Sequence, residues 1–551
     1  MQAVSHKNTV LAPDSATQYG AMSGFRFGAL KNLFAPLLII TALLPCTYLC
    51  WQARGGSQFG YLQDDELYLT AARSLVTTGA YKIPSLPGEP YQTKYPPIYP
   101  LLLSAVWIMN PVFPANLQAF ALLDWGLWIC FVAVAFVMYR QLKLNRASQL
   151  LAVILLTLNS TCQFMATLLA PEALFSIFVL TTLLLADRSS RDTGSEVMTI
   201  YCGLAAGCAF LTKTAGFPLM VTVPLVLLLR HQHRRALYFG AVVTPFVASW
   251  AIWAGAHRSR FSDPTLMYYV DYFGFYKLNV GIKDFPALVV HNFLQILYSL
   301  PGVVPPWPDE LGLLVMILTA IALIGTVRLL KDTRSLHFAA FLVVYVIELL
   351  VWNFNPNGRF LYPLIPIFIA GLSYEVWFGV DLIRKTLPGA LAGDLVGKLV
   401  PACLIGISLF ASAAYAHSMV ARNVVLTRQW TANRKHAYDW INQHLPTSAK
   451  FAAYDDVGLY LYTGRQGIRS QGMTRPYVTG DREQIEKPVS AIADFARGHG
   501  LDYLIWAPDD YDTDGVLEDG HLRERLLAKN SGLSLVYGSE GVRIYRVDSE
   551  R

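Results

Sequence analysis

The chain alternates apolar segments with short polar turns over most of its length, from about residue 34 to about residue 416. A helix needs about 20 apolar residues to cross the hydrocarbon core of a bilayer, and about 11 segments reach or approach that length. These predicted spans are residues 34–51, 117–139, 148–165, 173–186, 197–211, 217–229, 237–256, 311–330, 338–352, 360–383 and 399–416. The pattern predicts a mainly α-helical, polytopic membrane protein. The apolar segment 99–112 is predicted to be a re-entrant or interfacial helix, because a further span there would reverse the side of every later turn.

Basic residues collect at alternate turns between the predicted spans. Lys and Arg are concentrated in the cytoplasmic turns of membrane proteins, so these turns set the orientation. The basic turns contain Arg140, Lys143 and Arg146; Arg188 and Arg191; Arg230, Arg234 and Arg235; and Arg384 and Lys385. We therefore expect a multi-pass protein of the inner (plasma) membrane whose N-terminal tail, residues 1–33, is cytoplasmic.

The hydropathy falls from about residue 420, and the pattern becomes that of a small soluble α/β domain. Helices are predicted at 432–444, 488–497 and 517–529, and strands at 450–453, 501–507 and within 533–547. Three domains follow: the tail 1–33, a transmembrane domain 34–419 whose external loop 54–98 carries an acidic motif, and an extracytoplasmic domain 420–551. In the last domain, residues 510–515 match the start of a calcium loop, but His521 stands where the bidentate Glu is required.

The composition agrees with a membrane protein and excludes other classes. Hydrophobic residues make up 54% and charged residues 15% of the chain, against about 25% charged in soluble domains. The formal charge of +6 includes no run typical of a nucleic-acid site. All seven cysteines lie in apolar stretches, which argues against a disulfide framework or a cysteine zinc site.

Three consecutive acids, Asp64, Asp65 and Glu66, follow the first predicted span. Adjacent carboxylates repel one another, and near a low-dielectric surface at least one pKa should rise, which suits a general base. The residues after them can form the apolar side of a short helix along the interface, anchored by Tyr61 and Tyr68. The apolar positions are Leu67, Leu69, Ala71, Ala72 and Leu75.

Four more charged residues fall at the ends of predicted spans on the same, external side. They are Lys94, Glu172, Lys213 and Arg359. Ionisable residues at such depth are costly and are functional candidates by default. The three cations can bind a phosphate or pyrophosphate headgroup, and Arg offers bidentate contacts.

Five short motifs at these places resemble the GT-C glycosyltransferases, and within them the protein O-mannosyltransferase and aminoarabinose transferase group. The resemblance covers about residues 34–418. The motifs are Asp65-Glu66, Lys94-Tyr95-Pro96-Pro97 before Tyr99, Ala170-Pro171-Glu172, Gly207 to Lys213, and Gly358-Arg359-Phe360-Leu361-Tyr362-Pro363. Where this chain has Lys94-Tyr95-Pro96-Pro97, the family usually has Lys-Pro-Pro.

The resemblance implies a polyprenyl-phosphate sugar as donor and a cell-envelope glycan, lipid or protein as acceptor. It implies that Asp65 is the base, Glu66 its catalytic neighbour, and Lys94 a contact of the donor phosphate. Glu172 corresponds to the family's mid-chain acid. Tyr68, Lys213 and Arg359 complete the predicted donor-binding set. The residues require no metal or other cofactor, although a divalent cation is compatible with them.

Two other classes of protein remain compatible with parts of the pattern. A transporter or flippase also has many spans with buried charges, but such proteins often carry internal repeats, and no repeat is evident here. A membrane-anchored binding protein that acts through residues 420–551 would leave the external charges unexplained.

Overall fold

The computed structural model describes residues 20–56, 58–191, 195–261, 263–305, 312–386, 390–470, 489–507, 510, 524–525, 527–539 and 541–548. Most of the N-terminal tail, most of the predicted helix 517–529 and most of the calcium-like turn lie outside these residues. The first helices are α1 (Gly20–Ala53), α2 (Asp64–Thr78), α3 (Ile98–Met109), α4 (Leu117–Gln141), α5 (Arg146–Thr157), α6 (Ser160–Ala166), α7 (Glu172–Ser189), α8 (Glu196–Thr212), α9 (Phe217–Leu229) and α10 (His233–His257). The next are α11 (Pro264–Val270), α12 (Tyr272–Asn279), α13 (Phe285–Val303), α14 (Gly312–Asp332), α15 (Leu336–Leu350), α16 (Gly358–Leu361), α17 (Ile365–Thr386) and α18 (Ala390–Trp430).

Six helical stretches in the described part of the chain are long and apolar enough to cross a membrane. They are Pro36–Ala53, Leu117–Gln141, His233–His257, Gly312–Asp332, Gly358–Thr386 and Leu395–His444. Helices α5 and α6 meet at a bend of 52° and make a seventh if they cross as one span. The predicted spans at α8, α9 and α15 are shorter, with 17, 13 and 15 residues. The total of about 11 spans therefore stays a prediction.

The largest apolar core lies among these long helices, and its closest helix crossing depends on glycine. A Cβ atom on Gly325 of α14 would lie 2.1 Å from the Gly371 carbonyl oxygen of α17. A Cβ atom on Gly371 would lie 2.2 Å from the Thr326 hydroxyl. Small residues let helices approach closely in membranes, so these two glycines allow α14 and α17 to pack backbone against backbone.

The C-terminal part forms a small mixed sheet. Its strands are β1 (Phe451–Ala453), β2 (Gly467–Arg469), β3 (Tyr503–Trp506), β4 (Leu533–Ser539) and β5 (Val542–Val547), in the order β2-β1-β3-β5-β4. Its helices are α19 (His436–His444), α20 (Asp456–Thr463) and α21 (Ile492–Gly498). Strand β1 pairs parallel with β2 and β3, and β5 pairs antiparallel with β3 and β4. The predicted strands are observed, whereas the short β2 and α20 were not predicted.

The alternating side chains of a strand explain how helices cover both faces of this sheet. Phe451 and Ala453 of β1 belong to the apolar cluster that includes α19. Ala452, between them, belongs to the cluster that includes Ile492 and Ala496 of α21. The sheet is thus buried on both sides near β1.

The C-terminal domain docks on the segment that follows α1. The Gly467 amide donates to the Ser85 carbonyl oxygen at 2.9 Å, and the Gln63 side chain donates to the Tyr454 carbonyl oxygen at 3.3 Å. The Tyr269 hydroxyl donates to Asp456 at 2.8 Å. These contacts bring α20 of the domain against the first turn of α2, where the acidic triplet lies.

Candidate active site

A cavity of about 1580 Å³ lies where the helices meet the C-terminal domain. Its wall includes the start of α2, the turn after α8, parts of α10 to α12, the segment between α15 and α16, and residues of the domain. Six of its lining residues are cationic, namely Lys94, Lys213, Arg258, Arg359, Arg434 and Arg469. The wall also carries many aromatic side chains. A cavity of this size with a few charged groups matches a binding site for a large organic substrate.

Arg359 links two carboxylates that are far apart in the chain. Its Nη1 atom lies 2.8 Å from Asp64 Oδ2, and its Nε atom donates to Glu172 Oε1. Glu172 Oε1 also accepts from Lys213 Nζ at 2.9 Å. Three of the predicted donor-binding residues are therefore joined in one ion network with Asp64, and this network forms the centre of the site.

Asp64 is not among the predicted site residues, and the structure places it in the ion network. Its carboxylate lines the cavity, bonds to Arg359 and accepts a hydrogen bond from the Tyr95 hydroxyl. Burial disfavours the charged form, but the Arg359 and Lys94 charges and the Tyr95 hydroxyl outweigh it, so the pKa of Asp64 is lowered. Asp64 is therefore ionised at neutral pH.

Asp65 is buried beside the cavity but is not among the residues that line it. Its Oδ2 atom accepts from the Gly60 amide at 2.9 Å, and its Oδ1 atom accepts from the Glu66 amide at 3.0 Å. Burial raises the pKa of Asp65 to about 7, against the effect of these two amides. Asp65 thus holds the loop before α2, and its predicted role as base stays a prediction.

Glu66 lines the cavity and turns toward the C-terminal domain. It is close enough to Asp455 for a hydrogen bond between the two carboxyl groups, and burial followed by Asp455 raises its pKa well above the ordinary value. The loop before α2 makes room for it, because a Cβ atom on Gly60, where φ is +87°, would lie 2.8 Å from Glu66 Oε1. Glu66 is therefore protonated over a wider pH range than an ordinary glutamate.

Lys94 lies in the cavity wall without a carboxylate within ion-pair distance in the described part of the chain. Its Nζ atom is 3.4 Å from the ring centre of Tyr268 and 4.8 Å from that of Tyr95. Burial lowers the pKa of Lys94 to about 7, although the nearby Asp64 charge opposes this. Of the three predicted cations Lys94, Lys213 and Arg359, Lys94 is therefore the one that no carboxylate of the described residues pairs with.

Tyr68 is buried rather than placed at a membrane surface as an anchor. Its ring packs 4.8 Å from the Tyr95 ring and 5.3 Å from the Tyr99 ring, and it lines the cavity. Tyr68 is therefore one of a group of aromatic side chains that pack together at the cavity wall.

Several lining residues were not predicted from the sequence. Tyr268 comes from the segment between the predicted spans 237–256 and 311–330, which folds into α11 to α13. Four further lining residues come from the C-terminal domain, namely Tyr454, Asp455, Tyr462 and Arg469. For this part of the cavity wall, the signal that the sequence offers is the pair of acidic residues that follows β1.

The structure is similar to solved GT-C glycosyltransferases. The aminoarabinose transferase ArnT from Cupriavidus metallidurans bound to undecaprenyl phosphate matches with 12% identity and a TM-score of 0.53, over 94% of this chain and 99% of that chain. The oligosaccharyltransferase AglB from Archaeoglobus fulgidus, in complex with an inhibitory peptide and a dolichol-phosphate, matches with 12% identity and a TM-score of 0.56, over 94% and 74%. The same organism's oligosaccharyltransferase with zinc and sulfate matches with 12% identity and a TM-score of 0.53, over 93% and 73%.

No family model matches the chain, and no curated protein matches it by sequence. At these low identities the similarity establishes the fold. The chain therefore has the GT-C glycosyltransferase fold, as the sequence motifs predicted.

The zinc in one similar structure raises the question of a metal site here. In the described residues, no group of three or more His, Cys, Asp or Glu side chains is arranged to hold a metal ion. Asp64 and Glu172, the two acids at the centre of the site, are both bound to Arg359. These residues, as they are paired here, do not fit a metal site.

Proposed function

We propose that this chain is a membrane glycosyltransferase that transfers a sugar from a polyprenyl-phosphate donor to an acceptor hydroxyl on a cell-envelope glycan, lipid or protein. The observation that carries the proposal is the ion network of Asp64, Arg359, Glu172 and Lys213. Asp64, Arg359 and Lys213 line one large cavity together with Lys94. The GT-C fold supports it. The proposed location is the inner membrane, with the site on its extracytoplasmic side.

Lys94, Lys213 and Arg359 are the proposed phosphate contacts. The Lys213 and Arg359 charges are balanced by Glu172 and Asp64, so these two cations are held rigidly in position. Lys94 lacks such a carboxylate partner among the described residues and is left to balance the phosphodiester charge. Undecaprenyl phosphate is bound in the similar ArnT structure, which supports a lipid of this class as the donor's carrier.

The proposed reaction is a single displacement at the anomeric carbon. The acceptor oxygen forms the new bond, the bond between the sugar and the phosphate oxygen breaks, and the electron pair stays on the phosphate. Cations placed where this charge develops stabilise the transition state. The acceptor proton passes to a carboxylate of the α2 triplet.

Asp64 is the member of the triplet that these contacts favour as proton acceptor. It lines the cavity and is ionised, whereas Asp65 is held by two backbone amides. Glu66 also lines the cavity, and its contact with Asp455 suits it to orienting the acceptor on the side of the C-terminal domain. The sequence-based assignment of the base to Asp65 is the alternative that the experiment must separate.

The purified full-length chain should release undecaprenyl phosphate from one or more members of a panel of undecaprenyl-phosphate hexoses and pentoses when envelope extract supplies the acceptor. Asp64→Asn keeps the size of the side chain but removes the proton acceptor. We expect it to lower turnover by about 10² to 10⁴, the range for loss of a general base. Asp65→Asn should lower turnover by less than about tenfold, because its contacts are to backbone amides.

Whichever of these two variants loses more turnover identifies the base. A large loss in Asp65→Asn with a small one in Asp64→Asn would return the base to Asp65. Equal, small losses would remove the triplet from the chemistry. Movement of the intact donor across proteoliposomes, without release of undecaprenyl phosphate, would replace the glycosyltransferase with the flippase alternative.

A further inference from the structure

Three polar atoms in one part of the cavity wall lack a hydrogen-bond partner among the described residues. They are Glu348 Oε2, Trp352 Nε1 and Tyr272 Oη, and each is shielded from solvent. All three residues line the cavity, and none was singled out by the sequence motifs. Buried polar groups in native proteins are nearly always paired, so an unpaired cluster calls for an explanation such as an absent ligand.

The three side chains lie together although they come from two parts of the chain. Glu348 is in the last turn of α15, and Trp352 follows it by four residues. The Tyr272 ring packs 5.6 Å from the Trp352 ring at an angle of 36°. The Glu348 charge is one of the causes, after burial and Tyr268, that raise the pKa of Tyr272, which agrees with their closeness.

This cluster adjoins the ion network. The Trp352 ring lies 5.7 Å from the Phe360 ring, and Phe360 follows Arg359 directly. The Phe360 ring is also 5.5 Å from Lys213 Nζ. A group bound against Trp352 would therefore be next to the cations assigned to the donor phosphate.

The chemistry of the cluster fits a sugar ring. Glu348 offers a hydrogen-bond acceptor, Trp352 a donor, and the Tyr272 hydroxyl can do either. Their aromatic rings provide flat apolar surfaces, which the C–H faces of a pyranose can cover. Its hydroxyls can pair with the polar atoms once the three side chains turn these shielded atoms toward the cavity. A polyprenyl chain has no groups that would satisfy these atoms, so the lipid does not account for them.

We propose that Glu348, Trp352 and Tyr272 form the subsite that binds the hydroxyls of the donor's glycosyl group. This inference rests on the proposed function and adds to it the part of the donor that the phosphate contacts leave unbound. A glycan acceptor has the same hydroxyl chemistry. The position of the cluster beside Arg359 and Lys213 favours the donor sugar.

The test compares lipids that differ only in the sugar. The full-length chain in nanodiscs is titrated with undecaprenyl phosphate and with undecaprenyl-phosphate glucose, mannose and galactose, without any acceptor. The sugar-bearing lipid that binds most tightly is then titrated into Tyr272→Phe, Trp352→Phe and Glu348→Ala. We expect each variant to weaken its binding about five- to tenfold, as for one lost hydrogen bond, and to leave undecaprenyl phosphate binding unchanged.

Tyr276→Phe is the matched control, because it removes a hydroxyl from the same helix α12. That hydroxyl donates to the Val351 carbonyl oxygen at 3.0 Å and does not line the cavity. It should leave the difference between the sugar-bearing and sugar-free lipids unchanged. Glu348→Gln keeps an acceptor oxygen and should lose less affinity than Glu348→Ala.

The outcomes separate this inference from the proposed function. Equal weakening of undecaprenyl phosphate and its sugar conjugate would assign the three residues to the lipid or to folding. No weakening, or no sugar conjugate that binds more tightly than undecaprenyl phosphate, would also overturn the inference while leaving the proposed donor class intact. A wild-type chain that binds none of these lipids would overturn the proposed donor class and the inference with it.

Discussion

At the scale of single residues, charge balance decides what each ionisable group in the cavity can do. Asp64, Arg359, Glu172 and Lys213 contribute two negative and two positive charges to one connected network. A buried network of this kind is stable only while its charges remain paired. Lys94 lies outside the pairing, against the Tyr268 ring. The phosphodiester of the proposed donor would therefore meet a preformed network and, in Lys94, a cation that has no carboxylate partner in the described part of the chain.

This position of Lys94 predicts a pH dependence for donor binding. Its pKa is lowered to about 7, so the side chain is protonated below that pH and becomes neutral above it. Because the proposed donor carries a negative phosphodiester, affinity for it should be highest at pH 6 and should fall by up to about tenfold per pH unit well above the pKa. The measurement is the dissociation constant of an undecaprenyl-phosphate sugar between pH 6 and pH 9.

Lys94→Arg is the control, because a guanidinium stays protonated throughout this range. The affinity of this variant for the sugar diester should stay constant between pH 6 and pH 9. Asp65 and Glu66 still titrate in it as in the wild type, so a constant affinity would assign the pH dependence to Lys94. Parallel curves for the two proteins would assign the pH dependence to another group. The sugar diester is required as probe, since a phosphate monoester has its own pKa near 6.

Of the acidic triplet, the sequence singled out Asp65 and Glu66, whereas Asp64 and Glu66 line the cavity. Lys94, Glu172, Lys213 and Arg359 were recognised because charges at the ends of apolar segments are rare. Asp64 and Asp65 are adjacent on α2, and neighbouring helix positions point about 100° apart. Which of the two carboxylates faces the cavity depends on the rotation of α2 about its axis. The contacts of Asp64 with Arg359 and of Asp65 with Gly60 set this rotation.

At the scale of elements, the apolar pattern predicted well where the helices lie. It predicted less well which of these helices are long enough to cross a membrane. Length decides whether a helix spans, and α9, with 13 residues, is short for that purpose. The short elements β2 and α20 gave no periodic signal, since three to eight residues are too few to show one. The close packing of α14 on α17 was also invisible, because the two glycines are far apart in the chain.

That packing gives a prediction about stability. Gly325→Ala places a methyl group where the Gly371 carbonyl oxygen already lies, so α14 and α17 must separate. Overpacking of this kind costs about 1 to 3 kcal/mol, and the thermal midpoint in detergent should fall by several degrees. Gly240→Ala in α10 is the matched control, because a Cβ atom there meets nothing within 4 Å. Equal midpoints for the two variants would show that the helix crossing tolerates a side chain.

At the scale of the whole molecule, the cavity is a joint product of the membrane part and the C-terminal domain. Asp455 and Tyr462 form part of its wall, and Gly467 pairs with Ser85 of the segment after α1. Because Glu66 meets Asp455, the domain must lie on the same side of the membrane as the acidic triplet. The basic turns predict that this is the extracytoplasmic side, and they do not predict the contact itself.

The last prediction tests this orientation in the intact chain. Ser448 is exposed on the C-terminal domain, and Ala147 is exposed beside the basic turn at Arg146. If that turn is cytoplasmic, Ser448→Cys should react with a membrane-impermeant maleimide in spheroplasts, and Ala147→Cys should react only after permeabilisation. The wild-type chain gives the background from its seven native cysteines, which lie in apolar stretches. The reverse labelling would place the domain and the triplet in the cytoplasm, and the proposed extracytoplasmic acceptor would then be wrong.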